Sequence, residues 1–288
     1  MDIWLRFIKV QERQVNLTHC MLRHHEHDCE TNMPVLKSNR NGTIFRAGNT
    51  VLRPVNFWTE SVHTLLHHLE AAGISGTPKV ISLDADCERL SYIEGETTDL
   101  PLTGTYVQDK TLVSAAKLLR EMHDSTAQFV ANVDVNVMQW MLPSVDPIEV
   151  ICHGDFAPYN CAYKNAEVVG VFDFDAAHPA PRIWDLAYAI YTWTPLWADQ
   201  AQSPLSLDQQ IFRARLFCDA YGASDSQRQQ LTTMMVKRLN ALVAYIKLEA
   251  DRGNRKFMAD INAGHLTKYA ADTEYIVSYA EKIVQGLL

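Results

Sequence analysis

Three oxygen-bearing side chains stand at spacings that suit the handling of a phosphate and its cation. The run Ile151-Cys152-His153-Gly154-Asp155-Phe156-Ala157-Pro158-Tyr159-Asn160 places an Asp after an apolar segment and an Asn five positions later, on a loop stiffened by Pro158. Thirteen residues beyond Asn160, the run Val171-Phe172 delivers Asp173, followed by Phe174 and Asp175. A carboxylate at the end of a buried strand costs free energy unless something binds it. Phosphoryl transfer has a use for all three groups. One carboxylate orients an acceptor hydroxyl and takes its proton, while hard oxygen ligands hold Mg²⁺ on the nucleotide phosphates. Asp155 suits the first task, and Asn160 and Asp173 the second. Turn capping would account for each Asp alone, but not for the spacing of the set.

The elements that must position these groups can be read from periodicity. From Val35 the pattern is that of strands: an Asn41-Gly42 turn, Thr43 to Arg46, an Ala47-Gly48-Asn49 connection, then Thr50 to Arg53 closed by Pro54. Val62, Leu65, Leu66 and Leu69 make a helical stripe ended by Gly73, and strands follow at Lys79 to Leu83 and Arg89 to Ile93. Beyond Gly95 helices dominate, with one stripe at Leu112, Ala115, Ala116 and Leu119 and another at Leu231, Met235, Leu239, Leu242 and Ile246. The second half is strand-like only at Ile148 to Cys152 and Val168 to Phe172. The expectation is an α+β chain in two lobes. Residues 35–95 form a small antiparallel-sheet lobe with one helix, residues 96–288 a mostly helical lobe, and residues 1–34 an extension of uncertain order.

The text His153-Gly154-Asp155-Phe156-Ala157-Pro158-Tyr159-Asn160, then Phe172-Asp173-Phe174-Asp175, then Asp185-Leu186-Ala187 resembles the aminoglycoside phosphotransferase and choline kinase-like family. The resemblance runs from Val35 to the C-terminus and implies the two-lobed protein-kinase-like fold. It implies Asp155 as catalytic base, Asn160 and Asp173 as magnesium ligands, and ATP as the phosphate donor. His153 would brace the loop, and Asp185, at the start of a helix, would receive hydrogen bonds from the loop backbone. Asp175 matches an acidic position whose role, metal shell or bracing, stays open.

On the nucleotide side, Arg53 stands where the family more often has a Lys that contacts the α- and β-phosphates and pairs with a helix Glu. Arg keeps the charge, but its planar fork is not interchangeable with an ammonium. Helix alignment puts Val62 or His63 near the Glu position. Glu60 is the better acidic candidate for a partner, or it is only a favourable first-turn charge. The loop Ser38-Asn39-Arg40-Asn41-Gly42 has a single Gly and reads equally as a phosphate cover or a plain turn. Adenine is expected near Leu90 to Glu96.

Other residues have bland readings beside the sharp ones. Cys20, His24, His25, His27 and Cys29 have zinc-ligand chemistry but fit no closed motif, so a poorly ordered leader is the simpler reading, and Met33 is a candidate start. His123 reads as a satisfied structural histidine. His178 reads as an exposed turn residue, or as lining the acceptor site. Cys152 and Cys161 read as small buried hydrophobes that could make the loop oxidation-sensitive. Trp184, Tyr188, Tyr191, Trp193 and Trp197 read as core packing.

A net charge of -8, with no Lys or Arg run, argues against nucleic acid as a partner. No apolar run is long enough for a membrane span or signal core, and six scattered cysteines read as free thiols, so the expected compartment is the cytoplasm. The expected function is an ATP- and Mg²⁺-dependent kinase for a hydroxyl of a small polar acceptor resembling an aminoglycoside, a sugar or an amino alcohol. Two other readings stand beside it: a nucleotide-binding pseudokinase or immunity-type binding protein without transfer, and, weaker, a metal-dependent phosphoesterase using His153 and Asp155. Glu249, Asp251, Asp260 and Glu274 are the acidic residues that could attract a cationic acceptor or merely face solvent.

Overall fold

The computed structural model describes residues 35–288 except 40, 41, 101 and 204. The cysteine and histidine cluster of residues 20–29, Met33, and the tip of the turn at Arg40 and Asn41 lie outside the described residues. The two-lobed, protein-kinase-like α+β architecture is as expected.

The small lobe is an antiparallel sheet of β1 (Val35–Asn39), β2 (Gly42–Ala47), β3 (Thr50–Pro54), β4 (Val80–Leu83) and β5 (Cys87–Ser91), in the order β1-β2-β3-β5-β4. Alternation along β3 sends successive side chains to opposite faces. Leu52 therefore packs with Cys87 in a small apolar cluster, and Arg53 emerges on the other face. Strand β5 starts two residues before the expected Arg89, which brings Glu88 into the ladder directly opposite Arg53.

Helix α1 (Thr59–Ala71) buries Val62, Leu65, Leu66 and Leu69, the stripe its spacing predicts. It ends where Gly73, at φ +76°, donates to Glu70 O at 3.0 Å and Ile74 donates to Leu69 O at 3.0 Å, satisfying carbonyls left open by the last turn.

The large lobe is built on α2 (Asp109–Asn132), whose Leu112, Ala115, Ala116, Leu119, Met122 and Phe129 are buried. Short strands β6 (Val150–Cys152) and β9 (His178–Ala180) pair with each other, as do β7 (Cys161–Lys164) and β8 (Glu167–Val171). Helices α3 (Arg182–Trp193), α4 (Leu207–Tyr221), α5 (Asp225–Asp251), α6 (Arg255–Asn262), α7 (His265–Ser278) and α8 (Ala280–Leu287) complete it. Ser206 and Ser224 begin α4 and α5 with reciprocal bonds to Gln209 and Gln227, a pairing that satisfies otherwise orphaned N–H groups. Among the described residues, no helix is long and apolar enough to cross a membrane.

The lobes are joined by backbone rather than by side chains alone. Glu96, where the chain enters the large lobe, exchanges two backbone hydrogen bonds of 2.8 Å with Tyr163, and between the lobes Val171 N–H donates to Gly76 O at 2.8 Å. The second contact requires two glycines face to face. A Cβ on Gly170 would lie 2.6 Å from Gly76 O, and one on Gly76, at φ +83°, would lie 2.3 Å from Val169 O. Replacing Gly170 by Ala forces this seam apart, and overpacking of this kind costs about 1–3 kcal/mol. Urea unfolding of Gly170→Ala is expected to give a midpoint lowered accordingly, and an unchanged midpoint would contradict the close approach.

Candidate active site

The loop between β6 and β7 carries His153, Asp155 and Asn160, and it is held from below by one carboxylate. Asp185, in the first turn of α3 and 1 % exposed, accepts from the backbone N–H of His153 at 2.7 Å and of Gly154 at 3.1 Å. His123 Nε2 donates to Asp185 at 3.2 Å, and His123 Nδ1 meets the Tyr221 hydroxyl at 2.7 Å. Burial alone would raise the Asp185 pKa. The His123 hydrogen bond, the electrostatic attraction of the His123 and His153 rings and the His153 N–H outweigh it and hold the group down to about 2.

Gly154 is the residue this geometry demands. Its φ is +79°, and a Cβ there would sit 2.1 Å from Ala176 O. Its own carbonyl accepts from Arg238 of α5 at 2.6 Å. Arg238 lies on the face of Leu231 and Met235, and its guanidinium stacks 4.5 Å from the centre of the Tyr188 ring. A basic residue interrupting an apolar stripe was the sequence signal for this contact.

The loop brings the predicted groups together. Asn160 Nδ2 donates to Asp155 Oδ2 at 2.9 Å and to Asp155 O at 3.0 Å, and Phe172 N–H donates to Asn160 O at 2.9 Å. His153 Nε2 donates to Phe172 O at 3.1 Å, and Asp155 N–H points to His153 Nδ1 at 3.3 Å. A carbonyl only accepts, so the His153 proton sits on Nε2. Asp173 follows Phe172 in the left-handed conformation at φ 68° and ψ 60°, which Asp tolerates better than most residues. Its side chain is 27 % exposed and 3.7 Å from Arg53.

Tyr159 was not singled out by sequence. Its hydroxyl donates to Asp155 Oδ1 at 2.7 Å and stands 3.2 Å from the Tyr188 hydroxyl. Burial, then the Asp155 charge, push the Tyr159 phenol well up, so it remains the donor.

Arg53 has a different partner from the one expected. Glu60 is exposed in the first turn of α1, and the buried residue one turn on is His63. The counter-charges come from Glu88, whose Oε1 is 3.2 Å from Arg53 Nε, and from Asp175, which pairs with Arg53 NH2. His63 Nε2 donates to the other Glu88 oxygen at 2.6 Å. Burial would lower the Arg53 pKa, but Asp175, then Glu88 and Asp173, hold it above its ordinary value. Asp175 is 5 % exposed, and its Oδ1 also accepts from Trp58 Nε1 at 3.1 Å, a bracing geometry. Sequence reasoning missed Glu88 because the strand was begun one residue too late to include it.

His178 is a correction as well. It is buried, not exposed: Nδ1 donates to Ala176 O at 2.8 Å, and Nε2 accepts from Trp184 at 3.0 Å. Burial lowers its pKa to about 4, so the ring is neutral. Cys152, Cys161 and Cys218 are free and buried, and burial pushes their thiols up. Cys87 is disulfide-bonded and departs from the all-thiol expectation. The five aromatics of residues 184–197 are buried as expected, and Trp193 also donates to Phe156 O at 3.2 Å.

The donor set suits magnesium. Asn160 spends its amide N–H groups on Asp155, and among the described residues no donor meets its Oδ1. That oxygen and the partly exposed Asp173 carboxylate are hard ligands of the kind Mg²⁺ prefers.

Two outcomes are expected from this geometry. A group whose folded pKa is depressed stabilises above its unfolded value and loses that contribution as pH falls. Asp185, ordinarily 3.8, should therefore contribute on the order of 2 kcal/mol above pH 4 that disappears toward pH 2. Acid titration of Asp185→Asn should show a flatter stability profile in that window, with lower stability at neutral pH. Glu88→Gln leaves Arg53 with less compensation. It should lower thermal stability, and Glu60→Gln, on an exposed site, should not. Equal effects would overturn the assignment of the partner.

Residues 125–217 match the model of the phosphotransferase enzyme family. The chain is 31 % identical over 193 residues to a trifolitoxin immunity protein of Rhizobium leguminosarum bv. trifolii, covering 65 % of this chain and 72 % of that one. A choline/ethanolamine kinase family protein from Mesorhizobium loti superposes with a TM-score of 0.58 at 16 % identity, over 89 % of this chain and 92 % of its own. The gentamicin complex of APH(2")-IIa also gives a TM-score of 0.58, at 12 % identity over 92 % and 99 % of the two chains. The same enzyme with streptomycin and ATP gives 0.53, at 14 % identity over 82 % and 90 %. The chain belongs to the phosphotransferase enzyme family.

Proposed function

We propose that this protein is an ATP- and Mg²⁺-dependent kinase that phosphorylates a hydroxyl of a small polar acceptor, in the cytoplasm. The observation that carries the reading is the bonded set of Asp155, Asn160 and Phe172, with Asp173 next in the chain and Arg53 3.7 Å from it. Asp155 would orient the acceptor hydroxyl and take its proton. A carboxylate has about four lone-pair sites, so the bonds from Tyr159 and Asn160 leave room for the acceptor. Asn160 and Asp173 would hold magnesium, which when bound neutralises phosphate charge. Arg53 would contact phosphate oxygens, kept in place by Glu88 and Asp175. ATP as donor is supported by the family and by the ATP complex of a protein of the same fold.

A second reading is a nucleotide-binding protein of immunity type without transfer activity. Two observations favour it. The relative at 31 % identity is named an immunity protein, and Arg53 is already engaged by two buried carboxylates.

A coupled ADP-release screen over sugars, amino alcohols, aminoglycosides and hydroxylated metabolites separates the two. The kinase predicts turnover that needs Mg²⁺, stops with chelator, and falls about 10²- to 10⁴-fold in Asp155→Ala, the range for loss of a general base. Asp173→Ala should fall as far. Tight ATP binding with no turnover on any acceptor, and a phenotype indifferent to Asp155→Ala, would favour the second reading.

A further inference from the structure

The helical lobe holds a buried carboxylate that phosphoryl transfer does not use. Asp272 of α7 is 1 % exposed. Its Oδ2 accepts from the Tyr191 hydroxyl at 2.6 Å and from Lys268 Nζ at 2.6 Å, and its Oδ1 accepts from Ala198 N–H at 2.8 Å. The Lys268 ammonium lies 4.3 Å from the centre of the Trp197 ring, 5.6 Å from that of Tyr191 and 6.0 Å from that of Tyr269. None of the acidic residues picked out from sequence behaves this way. Asp251 and Glu274 are exposed, Glu249 pairs with Arg252, and Asp260 lies 3.8 Å from His265.

A carboxylate backed by a hydroxyl and bordered by aromatic faces is the chemistry that recognises an ammonium ion. An ordinary i,i+4 ion pair on a helix surface has no use for three rings. Nor does Asp272 need Lys268 to satisfy its hydrogen bonds, because Tyr191 and Ala198 donate to both its oxygens. What the lysine supplies is the counter-charge, and its side chain is 23 % exposed where that of Asp272 is 1 %, so the seat opens outward along the lysine stem.

The seat adjoins the loop described above. Tyr191 packs on Tyr188 with ring centres 6.1 Å apart, and Tyr188 meets Tyr159, which holds Asp155. Tyr269 is pushed up to about 12 by burial and then by the Asp155 charge, which reaches this wall of the seat.

We propose that Trp197, Tyr191, Tyr269 and Asp272 form an ammonium-binding site that the chain's own Lys268 keeps occupied. A tethered ammonium competes at an effective concentration in the millimolar range or above, so free amines are excluded from the wild-type protein and admitted when Lys268 is removed. Resting on the kinase reading, one consequence follows: the acceptor presents no ammonium group to this side of Asp155, and Lys268 selects against amine-bearing acceptors.

The probe is n-propylammonium chloride, the fragment that Lys268→Ala removes. Binding is measured by calorimetry and thermal shift against sodium chloride of equal ionic strength. Lys268→Ala should bind it saturably and at least about tenfold more tightly than wild type, and Lys268→Ala with Asp272→Asn should lose that gain. Equal binding by wild type, or none by folded Lys268→Ala, overturns the proposal. If Lys268→Ala does not fold alone, folding in propylammonium but not in matched salt supports the site, and failure in both overturns it. The readout is binding alone, so it stands or falls separately from phosphoryl transfer.

Discussion

The buried carboxylate of Asp185 is the constraint on which the rest of the site depends. A charge with 1 % exposure is tolerated only where donors surround it, and here they come from two distant parts of the chain. The N–H groups of His153 and Gly154 are the first residues after β6, and His123 comes from the middle of α2. One side chain at the start of α3 thus sets where the loop leaves its strand. The loop can take that path only with glycine at position 154, because any Cβ would meet Ala176 O. From that anchor the remaining bonds follow in sequence: His153 to Phe172, Phe172 to Asn160, Asn160 to Asp155.

The small lobe solves a related problem differently. A buried guanidinium on β3 needs carboxylates within reach, and the helix that faces it offers His63 instead of Glu. The compensation has moved to the neighbouring strand, where antiparallel register puts Glu88 directly across from Arg53. A partner fixed by strand pairing keeps its distance even if the helix shifts, whereas a helix-borne partner moves with the helix. His63 then serves the carboxylate rather than the cation. Asp173 and Asp175 approach the same guanidinium from the large lobe, so the cation on β3 is held from both lobes.

In the large lobe, aromatic residues that pack the core also present polar tips at chosen points. Trp193 is fully buried, yet its indole N–H holds the Phe156 carbonyl; Tyr159 and Tyr188 pass a chain of hydroxyls toward Asp155; Tyr191 turns the other way, to Asp272. Buried Tyr and Trp commonly find such partners because an unmatched donor is costly. The reading of Tyr188, Tyr191 and Trp193 as packing was therefore right about burial and incomplete about their contacts.

Local pattern decided a good deal on its own. The stripe of α1, the long helices α2 and α5 and the spacing of Asp155, Asn160 and Asp173 are all properties of neighbouring residues, and they were legible in the sequence. Contacts between residues far apart in the chain were not. Arg53 and Glu88 are related by strand register, which changes with a two-residue error in where a strand begins. Arg238 and Gly154 are joined only when α5 packs beneath the loop, and His178 is buried by a strand too short to have a period. The sequence by itself determined which oxygen-bearing side chains the loop offers and the order in which the chain presents them. Tertiary structure alone decided which charges compensate one another, because burial and partner distance are set by packing between elements and leave no periodic trace in the chain.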